Sequence, residues 1–198
     1  MDNRDRAIAI ATAITELEEA VVKSDDEVMQ VIEHRWEILQ EPMTMTVLQQ
    51  VIKDAKSVGL KTEHMRIQRF LQNVKRHNVP WALAELHRIS SAEAQATYDL
   101  FGATPDTIHQ VLITHEALLQ DDYWIYCARA RDRLSSEQEE STQHEIVRKM
   151  WKERRHMAIQ CLEDAYNKNI NYAEKQFRKN FEAWLRQFPE EFRRQRGF

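Results

Sequence analysis

Apolar residues recur at helical spacing along almost the whole chain. Ile10, Ile14, Leu17 and Val21 follow one another at steps of four, three and four residues, which is the spacing of one buried stripe on an amphipathic helix. We therefore predict a first helix over residues 3–23. The same kind of pattern predicts further helices in the segments 24–41, 44–58, 62–78, 81–89, 91–101, 104–119 and 121–134.

Polar caps and one glycine mark several predicted helix ends. Ser24 and Glu27 have the capping-box spacing, in which each side chain bonds to the backbone N–H of the other residue, and Ser90 and Glu93 repeat it. Gly59 is expected to end the third helix, because glycine adopts a left-handed C-terminal cap at the least cost. Further helix starts are expected at Thr62 and at the tripeptide Thr104-Pro105-Asp106.

The C-terminal part of the chain has a long, uninterrupted helical pattern. No Pro or Gly occurs over residues 142–188, and as one helix this stretch would reach roughly 70 Å. Residues 170–188 keep a clear three- and four-residue apolar spacing, and residues 146–165 are out of phase with it. The segment 167–171 between them is poor in helix formers, so we predict a helical hairpin or a kink rather than one rod.

Glycine and proline are scarce, which decides the predicted fold class. The 198 residues include three Gly and four Pro, too few for the turns of a sheet, so we predict an all-α protein. The same scarcity excludes a Rossmann fingerprint and a P-loop, which need several glycines in one short loop. We expect an N-terminal multi-helix bundle over residues 1–134, a polar linker over 135–142, for which a solvated helical bridge is the alternative, and a basic, aromatic-rich C-terminal helical region over 143–198.

Charge alternates in blocks along the chain, although the net charge is only −4. Residues 1–45 hold 4 Lys and Arg against 11 Asp and Glu, and residues 91–145 hold 3 against 11. Residues 46–90 reverse this with 8 against 3, and residues 146–198 with 13 against 7. Such blocks can bring complementary faces together within one fold or between subunits, or they can form two basic surfaces for a polyanion.

Residues 46–77 have the parts of a helix-turn-helix motif, in which a second helix enters the major groove of duplex DNA. Arg and Gln can contact base edges there, and Lys can neutralise phosphates. The alternative is the solvated basic face of a bundle helix, which is the commoner use of such a pattern. The predicted nucleic-acid contacts on this helix are Lys61, Arg66, Arg69, Lys75 and Arg76.

A second segment that resembles a helix-turn-helix lies at residues 91–116. Its turn signals are better, but the exposed positions of its second helix include no Lys or Arg. The acidic block in which it lies would repel phosphates. We therefore interpret this segment as structural helix pairing, with His115 as a core residue.

Basic and aromatic residues are interleaved in the C-terminal region, a pattern that suits single-stranded nucleic acid. Phe177, Phe181 and Trp184 share one helical stripe, which indicates either a core or an interface with a protein partner or a second copy of the chain. An amphipathic basic helix would also suit an anionic membrane surface. The predicted nucleic-acid contacts in this region are Arg148, Lys152, Arg155, Lys175, Arg178 and Lys179.

No motif of the sequence indicates catalysis, a metal or a cofactor. Glu153 and His156 form the one Glu-x-x-His pair suited to a helical metal site, which needs two such pairs, and they lie among cations. Cys127 and Cys161 match no metal or redox spacing, so we expect buried thiols. No apolar stretch approaches the roughly 20 residues of a membrane span, and the polar start of the chain favours an intracellular, cytoplasmic protein.

These patterns support two hypotheses of function. The first is a non-enzymatic, nucleic-acid-associated regulatory protein that contacts DNA or RNA through its basic helices. The alternative is a helical protein-protein interaction module, an adaptor, inhibitor or assembly factor, that acts through its acidic faces and the C-terminal aromatic stripe. Charge alone does not separate the two, because a basic surface can meet either phosphates or an acidic protein surface.

Overall fold

The computed structural model describes residues 3–139, 145–188 and 190 of the chain. Within these residues all regular structure is helical and no strand occurs, which confirms the predicted all-α fold. The helices are α1 (Asn3–Lys23), α2 (Asp25–Leu39), α3 (Pro42–Asp54), α4 (Val58–Arg76), α5 (Val79–Gly102), α6 (Ile108–Thr114), a short 3-10 helix (Glu116–Gln120), α7 (Tyr123–Glu139), α8 (Glu145–Asn167) and α9 (Ile170–Leu185).

The chain divides into two compact units, unit 1 (Met1–Ala92) and unit 2 (Glu93–Phe198). The division falls within a helix: residues 79–92 of α5 belong to unit 1, and residues 93–102 belong to unit 2. Each unit has its own cluster of buried apolar side chains. The two units are therefore described separately.

The polar segment 135–142, expected as a linker between residues 1–134 and 143–198, is helical where the structure describes it. Residues 135–139 continue α7, whereas residues 140–144 lie outside the described part of the chain. Two polar side chains of this segment bond to a buried arginine of α8. The division observed thus differs from the expected one, because these polar groups are used for packing within unit 2.

Unit 1 is a helical bundle in which α1 contacts α2, α3 and α4. The stripe predicted on α1 is confirmed, since Ile10, Ile14 and Leu17 are buried and Val21, partly buried, packs against the same cluster. Burial of one stripe on each helix leaves the opposite faces of the helices for solvent or ligands. The side chains that α4 adds to this core are Ile67, Phe70, Leu71 and Val74.

Serine side chains begin two helices of unit 1. Ser24 caps α2 as predicted, and its Oγ accepts a hydrogen bond at 3.2 Å from the Glu27 N–H. The Ser24 N–H, however, donates to the Ala20 carbonyl at 3.1 Å, so it does not serve as the other half of the predicted capping box. The prediction for the start of α4 is wrong, because the cap is Ser57 and not Thr62. Gly59 lies in the first turn of α4 rather than at the end of α3. A serine oxygen can satisfy an N–H at a helix start and a glycine cannot, so α4 begins earlier than the glycine suggests.

Helix α5 continues through Ser90, where the sequence predicts a capping box, so that prediction is wrong. The Glu93 carboxylate is buried and accepts two hydrogen bonds from Arg131 at 3.1 Å and one from Thr97 at 2.9 Å. A carboxylate held by α7 in this way does not reach back to a helix start. The tertiary contact therefore overrides the local signal.

The helix start predicted at Thr104 is also wrong. The Thr104 N–H donates to the Oγ1 of Thr107 at 2.8 Å, and α6 begins only at Ile108. The Thr107 hydroxyl closes a turn over residues 104–107, which delays the helix by about one turn.

The helical hairpin predicted near the C-terminus is confirmed. α8 and α9 pack against each other and are separated only by Lys168 and Asn169. Asn169 caps α9, since its Oδ1 accepts the Tyr172 N–H at 2.8 Å. The largest fully buried side chains of unit 2 are Leu100, Ile108, Leu112, Trp124 and Phe177.

Replacing Asn169 with Ala removes the cap of α9. We expect Asn169→Ala to lower the free energy of unfolding of unit 2 by about 1 kcal/mol, the usual cost of a lost N-cap. Asn171→Ala is the matched control, because Asn171 is exposed in the first turn of α9, and it should change stability by less than about 0.5 kcal/mol. Urea unfolding followed by circular dichroism measures both, and equal losses would contradict the assigned cap.

Cys127 and Cys161 are buried thiols that form no disulfide, as predicted. Burial raises the pKa of the Cys161 thiol from 9.0 to about 12, and the carboxylates of Asp164 and Glu174 add to the rise. The reactive form of a thiol is the thiolate. The folded protein should therefore not react with dithiobisnitrobenzoate at pH 8, while both thiols should react after unfolding in urea.

The same raised pKa has a consequence for stability. Because the folded state holds the Cys161 proton more tightly than the unfolded state does, this contribution to stability is complete below pH 9 and is lost as the pH rises toward 12.

Rapid reaction of either thiol in the native protein at pH 8 would contradict the burial described here.

Candidate nucleic-acid interface

Arg155 of α8 is buried inside unit 2, although the sequence predicts it as a nucleic-acid contact. Its Nε donates to Asp132 at 2.6 Å, and its terminal nitrogens donate to Glu139 at 2.8 and 3.1 Å and to Ser136 at 3.2 Å. Burial favours a lower pKa of Arg155, but hydrogen bonds to the Glu139 and Asp132 carboxylates outweigh it and leave the pKa raised. The charge of Arg155 is thus neutralised within the fold, which corrects the predicted phosphate contact.

Arg178 of α9 also has carboxylate partners. It donates to Glu174 at 3.0 Å and lies 3.5 Å from Asp106. The hydrogen bond from Arg178 holds the pKa of Glu174 below its ordinary value despite partial burial, and a second bond from His109 at 2.8 Å contributes. Arg178 therefore presents less positive potential to a phosphate than a cation without such partners.

The other predicted contacts of the C-terminal helices are divided between two helices. Arg148 of α8 is half-buried. Lys152 of α8 and Lys175 and Lys179 of α9 are exposed, and they form no ion pair with any residue that the structure describes. Of the six cations predicted as contacts in this region, only Lys152, Lys175 and Lys179 are therefore both exposed and without a carboxylate partner among the described residues.

The aromatic stripe of α9 forms part of the core of unit 2. Phe177, Phe181 and Trp184 are each at most 3% exposed. Their rings pack against one another, with centroids 5.6 Å apart for the first pair and 5.2 Å for the second. Helices α6 and α8 of the same chain pack against α9, so a partner has no access to these rings. This corrects the partner interface predicted there.

The predicted helix-turn-helix connectivity over residues 46–77 is present in unit 1. It consists of α3, a turn of three residues over 55–57, and α4. The start of α4, which would enter a major groove in such a motif, lies beside carboxylates. His64 pairs with Glu18 of α1. Arg66 lines a groove that also contains the carboxylates of Glu18, Glu19 and Glu63.

The end of α4 has a different electrostatic character. Lys61 and Arg69 are half-buried, but Lys75 and Arg76 are exposed and pair with no carboxylate among the described residues. The sequence contains no Asp or Glu between Glu63 and Glu85. Positive charge therefore concentrates where α4 ends and α5 begins. We call residues 75–81 the α4–α5 corner.

Two caps fix the backbone of the α4–α5 corner. The His77 N–H donates to the Asn73 carbonyl at 2.9 Å and ends α4. Asn78 then begins α5, because its Oδ1 accepts the Trp81 N–H at 2.8 Å. Pro80 lies in the first turn of α5, where the missing N–H removes no helical hydrogen bond. The conformation of the corner is thus determined by its own residues.

An aromatic pair stands at the α4–α5 corner. The imidazole of His77 and the indole of Trp81 are stacked, with their centroids 3.9 Å apart and an angle of 29° between the rings. Trp81 is 42% exposed, and His77 is exposed as well. The sequence places Trp81 at the start of a short helix and gives it no function. A signal was available in the run from Lys75 to His77, three successive residues with basic side chains four to six positions before an aromatic.

Other predicted features have structural uses. His115 bonds to Asp99 at 2.8 Å and packs edge-on against Trp124, as expected of a core residue. His156 lies 3.1 Å from Asp132, and the described ranges contain no group of three or more His, Cys, Asp or Glu side chains placed to hold a metal. No helix in the described part of the chain is long and apolar enough to cross a membrane. No family model matches this chain, and no curated protein and no solved structure is significantly similar to it.

Proposed function

We propose that this protein binds nucleic acid through the α4–α5 corner of unit 1. The observation that carries the proposal is the exposure of Lys75 and Arg76, neither of which has a carboxylate partner among the described residues. Exposed cations of this kind are available to phosphates, and each phosphate that they neutralise releases condensed counterions from the nucleic acid. Arg69, which precedes Arg76 by two helical turns, can extend the contact along the same side of α4.

The competing function, a protein interaction module, loses one of its two proposed surfaces. The stripe of Phe177, Phe181 and Trp184 is buried, so only the acidic faces would serve a partner. The first turns of α4 face carboxylates of α1, which disfavours insertion of these turns into a major groove. The proposal therefore concerns contact with the phosphate backbone, which positions a ligand without specifying its sequence.

Binding across a salt series tests this function. The protein, freed of nucleic acid by nuclease, is titrated with fluorescently labelled single-stranded and duplex oligonucleotides. We expect the affinity to fall steeply with salt, and we expect the combined substitution of Arg69, Lys75 and Arg76 by Ala to reduce the slope of log K against log salt by roughly 2.

The matched control removes three cations that each have a carboxylate partner one turn away on the same helix. Lys23, Lys149 and Arg186 pair with Glu27, Glu153 and Glu182, respectively. Their combined substitution by Ala changes the net charge equally but should leave the slope within about 0.5 of the wild-type value. Absence of binding at low salt, or equal losses in both variants, would reject the proposed function and favour the interaction module.

The exposed lysines of unit 2 are tested separately. Substitution of Lys152, Lys175 and Lys179 by Ala should reduce the salt slope less than the combined substitution of Arg69, Lys75 and Arg76 does. The reason is that these lysines are divided between two helices and that the sequence around them includes carboxylates. A larger reduction would instead place the proposed interface on unit 2.

A further inference from the structure

We propose that the stacked pair of His77 and Trp81 is a base-stacking site, which makes single-stranded nucleic acid, rather than duplex, the ligand of the α4–α5 corner. This inference rests on the proposed function, because it names the class of ligand for the same surface. It is carried by a different observation, the geometry of the aromatic pair.

The first step concerns the cost of ordering the site. An isolated exposed aromatic residue is common on protein surfaces and indicates nothing by itself. Here the indole of Trp81 is already held against the imidazole of His77, at a centroid distance of 3.9 Å. The caps at His77 and Asn78 fix the backbone on both sides of the pair. A ligand that stacks on this pair therefore orders few additional degrees of freedom, which lowers the entropic cost of binding.

The second step concerns which ligand can use the pair. Nucleobases are flat and have polarisable faces, and they stack on Trp or His rings without regard to sequence. In a duplex these faces are covered by the neighbouring base pairs, so the indole could meet a base face only at a duplex end. In a single strand every base can turn a face outward. The aromatic pair thus adds affinity for unpaired bases and nothing for the interior of a duplex.

The third step concerns the arrangement of charge around the pair. Lys75 and Arg76 directly precede His77 in the chain and are exposed at the same corner. A single strand that stacks one base on Trp81 carries its phosphates on the adjoining backbone, within one nucleotide of the base. Cations next to an aromatic platform are the combination by which proteins bind single strands without reading their sequence. The sequence has no carboxylate from residue 64 to residue 84, and Glu85, one helical turn after Trp81, is paired with Arg88.

The test compares Trp81→Ala with the wild type, using a labelled 12-mer of thymidine and a blunt 12-base-pair duplex across the same salt series. We expect the single-strand affinity of Trp81→Ala to fall by roughly 5- to 140-fold, the range for loss of one stacked base. The duplex affinity of Trp81→Ala should stay within about twofold of the wild-type value, and its salt slope should stay within about 0.5 of the wild-type slope. Trp81→Phe keeps a flat ring at the same position and should recover part of the lost affinity.

Controls separate stacking from folding and from charge. Tyr98 is 77% exposed on the part of α5 that belongs to unit 2, so Tyr98→Ala removes an exposed aromatic and should leave both affinities unchanged. Circular dichroism and urea unfolding show whether Trp81→Ala is folded. If it is not, the affinities of Trp81→Phe are compared with those of the wild type instead.

The outcomes distinguish failure of this inference from failure of the proposed function. If Trp81→Ala and Trp81→Phe bind the single strand as the wild type does, while substitution of Arg69, Lys75 and Arg76 abolishes binding, the stacking site is rejected and the phosphate contact stands. If the wild type prefers the duplex, the inference is rejected in the same way. If the wild type binds neither oligonucleotide at low salt, the proposed function fails and the inference fails with it.

Discussion

Truncation of Phe177 to Ala is expected to lower the free energy of unfolding of unit 2 by about 3–5 kcal/mol. The Phe177 ring is 2% exposed and packs against Phe181 in the centre of the α8–α9 core. Removal of the ring loses its transfer free energy and leaves a cavity that the surrounding helices fill only in part. A loss of this size is a large fraction of the stability of an ordinary domain.

The measurement requires a signal from unit 2 alone. In a background with Trp36→Phe and Trp81→Phe, the remaining tryptophans, Trp124, Trp151 and Trp184, all belong to unit 2. Urea unfolding followed by their fluorescence then reports this unit. Tyr98→Ala, at an exposed position of the same unit, should cost less than about 0.5 kcal/mol.

Protein concentration distinguishes a core from an interface between copies. The ring is buried within one chain, so the midpoint of unfolding should be the same at two protein concentrations tenfold apart. A midpoint that rises with concentration in the wild type and not in Phe177→Ala would restore the interface that the sequence suggested.

Replacement of Arg155 by Met is expected to cost about 3–5 kcal/mol. The guanidinium bridges Asp132 and Glu139, and its loss leaves these two largely buried carboxylates without their shared cation. Met retains most of the volume of the side chain, so the loss measures the charge rather than a cavity. Lys152→Met, one turn earlier on α8 and exposed, is the matched control and should stay within about 0.5 kcal/mol of the wild type.

A double-mutant cycle tests the coupling directly. Asp132→Ala in the Arg155→Met background removes one of the stranded carboxylates and should recover part of the loss, giving a coupling energy of about 0.5–3 kcal/mol. The fluorescence of the unit 2 tryptophans again reports unfolding. Strict additivity of the two substitutions would show that Arg155 and Asp132 do not depend on each other.

The fold followed from the sequence where the signal is periodic and local. The stripe of Ile10, Ile14 and Leu17 depends only on 3.6-residue spacing, and the hairpin break depends on the weak helix formers around Asn169. The failures occurred where a distant contact competes with a local one. Glu93 has the spacing of a capping box, but Arg131 reaches it from α7, and no pattern within one helix reveals that partner.

The candidate site was predicted less well, for a related reason. The sequence identifies cations but not their partners, so Lys75 and Arg155 look alike until the structure places one on the surface and the other between two carboxylates. Phe181 and Trp81 differ in the same way, since helical spacing alone does not decide which aromatic is buried. Exposure is a property of the assembled helices, and it changes which residues can meet a ligand.

The continuity of α5 determines how the protein can be divided for separate study. A cut between Ala92 and Glu93, at the boundary of the two units, would sever a helix and leave unsatisfied carbonyl and N–H groups at the new ends. The fragment that begins at Glu93 would also lack the helical turn that precedes this residue in α5. Fragments that share the helix and its Asn78 cap, residues 1–102 and residues 78–198, avoid both defects. The fragments suited to separate study therefore overlap in sequence, although the two units themselves are adjacent.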